Sequence, residues 1–172
     1  MAQIPWVAAA KVSADWVAHL QDESITLLMT ALTRRRSDND QETWHVYFGD
    51  VHVGSIGLRA GVPTGADQWG WRVGFYPGIE PGTQRSGSAA TFDEARVAFE
   101  SAWLQLEPTL TEDNYEAWRL NRDFLAWKYR MWAEGCRMPT QNQNGWSKCF
   151  CGEPISIACE DHIRIAHRGV AA

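Results

Sequence analysis

Three short runs, residues 44–48, 51–53 and 69–75, alternate apolar side chains with others. Successive side chains of a strand point to opposite faces, so a period of two calls for a sheet with one apolar face. Gly49-Asp50 separates the first two runs, and glycine accepts the positive φ of a two-residue hairpin turn. Pairing Phe48 with Val51 puts Trp44, Val46, Phe48, Val51 and Val53 on one face, where Trp69, Trp71, Val73 and Phe75 join them. Past Gly54 the parity inverts, because Ile56 and Leu58 fall on the other phase. A bulge near Gly54 or Gly57 restores the register, a usual role for glycine within a strand.

The helix that covers this face announces itself next. Thr91 followed by Glu94 is a capping box, each side chain satisfying an orphan N–H at the helix start. Phe92, Ala95, Phe99, Ala102, Trp103 and Leu106 then recur at helical spacing, and Pro108 ends the run. Upstream, residues 25–33 fit either helix or strand; the turn at residues 37–40 favours a first strand, with Arg34, Arg35 and Arg36 at its end. Ser13 is placed to cap a short helix carrying Trp16, Val17 and Leu20. Residues 77–90, rich in glycine and proline, are predicted to be a connecting loop.

Thr111 opens a long aromatic helix over residues 112–134, with Gly135 as its stop. It carries two apolar stripes. Ala117, Leu120, Phe124, Trp127 and Met131 form one; Trp118, Leu125, Tyr129 and Trp132 form the other. A helix apolar on two sides is buried on both or binds something with one. The expected class is therefore α+β: an antiparallel sheet of three to four strands covered by one helix, the long helix, and a small hairpin-helix tail. The division read from composition is a body at residues 1–137, a polar linker at 138–147 and a tail at 148–172.

The tail carries the most specific chemistry. Cys149 and Cys151 precede Ile155 and Ile157, and His162 and His167 follow, with Ile163 and Ile165 between them. This stretch resembles the two-Cys two-His zinc finger, in which a hairpin supplies two thiolates and a helix two imidazoles. The resemblance implies a structural Zn²⁺ held by Cys149, Cys151, His162 and His167, with the four isoleucines as the finger's core. Cys159 is an alternate ligand, in a set with Cys149, Cys151 and His162. The spacing departs from the common form: one residue separates the cysteines and ten lie between Cys151 and His162, against about 12 in the family. The five-residue step between the histidines demands a loosened last helical turn. Glu160 and Asp161 at the helix start repel phosphate, which favours a protein partner over DNA reading. The sheet-and-helix body loosely resembles small uncharacterised bacterial proteins, a likeness that implies no activity.

Ten tryptophans mean an aromatic core or rings that face a partner. The predicted partner-binding side chains are His45, Tyr47, His52, Arg72 and Tyr76 on the open sheet face, and Trp118, Tyr129 and Trp132 on the long helix. The open face reads either as solvated surface or as a platform for single-stranded nucleic acid, with Arg34–Arg36 as a basic loop. A net charge of −5 opposes general polyanion binding. Four cysteines, three of them close together near the C-terminus, suit a reducing cytoplasm better than a secreted disulfide framework. No apolar run approaches the roughly 20 residues of a membrane span. No nucleophile elbow, His-Glu-x-x-His or phosphate loop occurs, so a non-catalytic interaction or regulatory protein is expected. His45 and His52 are the alternative, as an acid-base pair.

Overall fold

The computed structural model describes residues 4–5, 32–38 and 42–170. The expected helix at Trp16–Leu20, most of the strand at 25–33 and the turn residues Asn39 and Asp40 lie outside the described residues. The chain divides into two compact units, Met1–Phe75 with Pro81–Thr109, and Tyr76–Glu80 with Leu110–Ala172.

The first unit is an antiparallel sheet in chain order, β1 (Ile4–Pro5), β2 (Leu32–Arg36), β3 (Thr43–Phe48), β4 (Val51–Leu58), β5 (Trp69–Val73) and β6 (Arg85–Ala89), followed by helix α1 (Phe92–Leu106). Five of the strands have ordinary length. Phe48 pairs with Val51 across the Gly49 turn, where φ is +59°, as the alternation requires. Val46 then pairs with Gly54 while Tyr47 pairs with His52, so Val53 is the extra residue of a bulge. That bulge brings Ile56 onto the same buried face as Val51 and Val53. Gly54 is obligatory for a second reason: a Cβ there would lie 2.1 Å from the Arg72 carbonyl oxygen and 2.8 Å from the Phe99 ring.

Thr91 Oγ1 accepts the Glu94 N–H and Glu94 Oε2 accepts the Thr91 N–H, closing the capping box. Helix α1 packs on β4, β5 and β6. It buries Ala95, Phe99, Ala102, Trp103 and Leu106 in the unit that holds Val46, Val51, Val53, Ile56 and Val73. Aromatic rings extend this core toward the rim, with Phe48 5.3 Å from Trp103 and Trp69 5.1 Å from Phe92 between centroids.

Two expectations are corrected here. The sheet exceeds three to four strands, and the loop at 77–90 contains β6. The Arg-Ser-Gly-Ser-Ala sequence of β6 has no apolar alternation; pairing with β5 makes it a strand. Gly87 leaves room for the Trp71 indole, which a Cβ would approach to 2.7 Å.

The second unit contains α2 (Glu112–Ala133), a short 3₁₀ turn at Pro139–Gln141, the hairpin β7 (Trp146–Lys148) and β8 (Pro154–Ser156), and α3 (Glu160–Ala166). Asn114 closes the start of α2 by accepting the Thr111 N–H, and donates to the Gly78 carbonyl. At its end Cys136 N–H reaches the Met131 carbonyl and Gly135 N–H the Trp132 carbonyl, a Schellman motif with φ +68° at Gly135. The first stripe of α2 faces the tail: Trp127 and Met131 join Cys149, Ile155, Cys159 and Ile163 in one buried cluster. The segment at 138–147 lies inside this unit, and the unit boundary falls after Thr109. Ile157 and Ile165, expected in a finger core, are 65% and 78% exposed. Trp127 and Met131 do the filling that they were expected to do, because a lone hairpin and a two-turn helix have too little apolar surface to close on themselves. Among the described residues no helix is long and apolar enough to cross a membrane.

Candidate metal centre

The turn between β7 and β8 presents both cysteines. Cys149 N–H donates to the Glu153 carbonyl and Gly152 N–H to the Cys149 carbonyl, with Gly152 at φ +101° making the reversal. Helix α3 supplies His162. His167 caps its C-terminus at φ −129°, ψ 19°, outside helical geometry. This is the loosened turn that the five-residue spacing demanded, and it swings the second imidazole back toward the first.

The four ligand atoms converge, all within 4.8 Å of one another. Cys149 Sγ lies 3.3 Å from His167 Nε2, Cys151 Sγ 3.6 Å from His162 Nε2, and the two Nε2 atoms are 3.2 Å apart. Bonds of about 2.3 Å to sulfur and 2.0 Å to nitrogen at tetrahedral angles imply S···N edges of roughly 3.5 Å and N···N edges of roughly 3.3 Å. These three separations are close to those edges. Cys149, Cys151, His162 and His167 are thus close enough to bind one metal ion. Cys159 is outside this group; it is the N-cap residue of α3 and sits in the buried cluster as a small hydrophobe.

Electrostatics separates the two sides of the site. Cys149 and His167 are buried, whereas Cys151 is exposed. Burial, then His162 and then Arg130, hold the His167 imidazole below the ordinary histidine range, so it is ready as a neutral ligand. Burial lifts the Cys159 thiol above its usual range, with Glu160 and Cys149 adding to the effect.

Helix α2 reaches the centre in ways that sequence spacing alone did not disclose. Trp127 Nε1–H donates to Cys149 Sγ at 3.3 Å. Phe150 lies 4.5 Å from the His167 ring and carries the Arg130 guanidinium 4.6 Å above its own centroid. Asp123, only 3% exposed, accepts the Gly169 N–H at 2.8 Å and the Arg122 Nε–H at 3.1 Å. It anchors the chain just past His167. The signal for Asp123 was legible: it is an acid four residues before Trp127, on the face that α2 buries.

The expected partner-binding side chains fall in both units. In the first unit, His45 Nδ1 lies 3.1 Å from His52 Nε2, and the Tyr47 ring 5.3 Å from the His52 ring. Burial and, secondly, the neighbouring His45 push the His52 pKa down to about 4. Arg35 covers Tyr47 at 4.4 Å, and Arg34 covers Trp44 at 4.7 Å, so two of the three arginines stack on rings of their own unit. Arg72 is exposed between Ser55 and Ser86. Tyr76 falls in the second unit and is exposed; β5 ends at Val73, and Gly74 turns the chain at φ +127° ahead of it. In the second unit, Arg122 covers the half-buried Trp118 at 5.4 Å. Tyr129 and Trp132 are 69% and 82% exposed. They line a groove of about 420 Å³ with Lys128, Cys136, Met138 and Gln141.

No protein-family model, curated protein or solved structure matches this chain.

Proposed function

We propose that this is a non-catalytic interaction protein whose second unit is held together by a structural zinc ion and docks a protein partner along α2. The observation that carries this reading is the convergence of two sulfurs and two nitrogens within 4.8 Å. Two thiolates and two imidazoles suit Zn²⁺, and four protein ligands leave no position open for a substrate. When bound, the ion would clip the β7–β8 turn to α3 and add to the stability that the buried cluster supplies. Thiolate ligands need reducing surroundings, consistent with a cytoplasmic setting.

The groove beside Trp132 is the docking surface in this reading. Its exposed Trp and Tyr are the residue types that carry interface energy, and Lys128 on its rim favours an apolar segment flanked by an acid. Elemental analysis of untagged protein is expected to return about one zinc per chain; a folded, metal-free preparation removes the proposal. Partner binding through the groove is expected to persist at high salt. A second reading, nucleic acid on the open sheet face around Arg72 and Tyr47, draws on the shallow recess there lined by Thr43, Ser55, Gly57, Gly70 and Ser86. It requires binding that weakens steeply with salt.

A further inference from the structure

The Trp127 indole lies at the junction of the long helix and the candidate centre. Its side chain is fully buried, and an indole N–H is a donor only, so it must find an acceptor inside the unit. That acceptor is Cys149 Sγ, 3.3 Å away and itself almost fully buried. We propose that Trp127 is a positioning residue for the metal, donating its N–H to the metal-bound Cys149 thiolate and thereby coupling metal loading to the docking of α2.

The proposal rests on the reading that these four ligands hold a metal, and three observations extend it. First, the two sulfurs are not equivalent. Cys151 is exposed and can be solvated by water, while Cys149 is shut away from it and needs a protein donor to balance charge. Second, α2 reaches a second ligand as well, through Arg130 stacked on Phe150 and Phe150 against His167. One helix thus touches the surroundings of one sulfur and one imidazole ligand. Third, groups that orient metal ligands from outside typically alter affinity about 10- to 100-fold when removed. The indole N–H is such a group, and it comes from 22 residues upstream of the sulfur it meets.

The experiment uses the full chain. Trp127→Phe keeps an aromatic ring in the core and deletes only the donor and part of the ring system. Titration with Co²⁺, followed by Zn²⁺ competition, is expected to show the thiolate-to-cobalt charge-transfer band at a shifted position and affinity weakened about 10- to 100-fold. An unchanged band and affinity overturn the proposal, leaving Trp127 as packing alone. A second readout needs no variant. In the wild-type chain loaded with ¹¹³Cd²⁺, the Trp127 indole proton is expected to show scalar coupling to cadmium through the N–H···S bond. A loaded chain without that coupling overturns the proposal even if Trp127→Phe fails to fold. Wild-type protein that takes up neither Co²⁺ nor Cd²⁺ overturns the metal reading itself, a distinct result.

Discussion

The two units of this chain solve the problem of stability differently. The sheet unit buries Val46, Val51, Val53, Ile56, Val73 and Phe99 completely and adds aromatic pairs at the rim. The second unit has a smaller buried cluster, and two of its six members are cysteines. Apolar area stabilises by roughly 25 cal/mol per Å² buried, so the first unit, with the larger set of buried apolar side chains, draws more on burial. The second spends its buried positions on ligands and polar anchors such as Asp123 and His167. The contrast teaches that a short hairpin-helix becomes a folded unit by borrowing a face of a long helix and, in our reading, a metal ion.

Chelation tests this contrast most severely. Structural zinc sites of this kind contribute on the order of 10 kcal/mol or more to folding. Removing metal, or substituting Cys149→Ser, is expected to abolish hydrogen-exchange protection across residues 146–170 while leaving residues 43–106 protected. Equal loss in both units would break the comparison. Phe99→Ala is expected to act the other way, costing the sheet unit about 3–5 kcal/mol with the metal content unchanged. Denaturant unfolding paired with metal analysis reads both effects.

Acid sharpens the comparison further. The His52 pKa of about 4 lies below the unfolded value of 6.5, so the unfolded chain takes up a proton more readily between those limits. Stability from this group is complete above about pH 6.5 and is lost as pH falls toward 4, by on the order of 2–3 kcal/mol. His52→Gln is expected to flatten that slope in the sheet unit's denaturation midpoint. The smallest effect belongs to the α1 cap: Thr91→Ala is expected to cost about 1 kcal/mol, visible as a modest drop in Tm without loss of metal.

Features written in neighbouring residues were legible beforehand. The hairpin joining Phe48 to Val51, the bulge beside Gly54, the Thr91–Glu94 capping box and the Gly135 stop each depend on a few adjacent positions. The ligand quartet was legible for the same reason, since its members span 19 residues of one hairpin and one helix. Strand β6 was not, because its serines and glycine gain strand character only from the neighbouring β5. Nor was the allegiance of α2. Its two stripes look alike in sequence, yet Trp127 and Met131 are sealed while Tyr129 and Trp132 are open.

The amino-acid order alone thus determined local geometry: which runs alternate, where helices begin and stop, and which four side chains could share an ion. Only the tertiary structure decided which stripe of α2 is buried, that the tail is built on that helix, and that a tryptophan N–H meets Cys149. The physical reason is range. Backbone periodicity and capping act over three or four residues, whereas burial and the satisfaction of buried donors are settled between segments that meet only after the chain has folded.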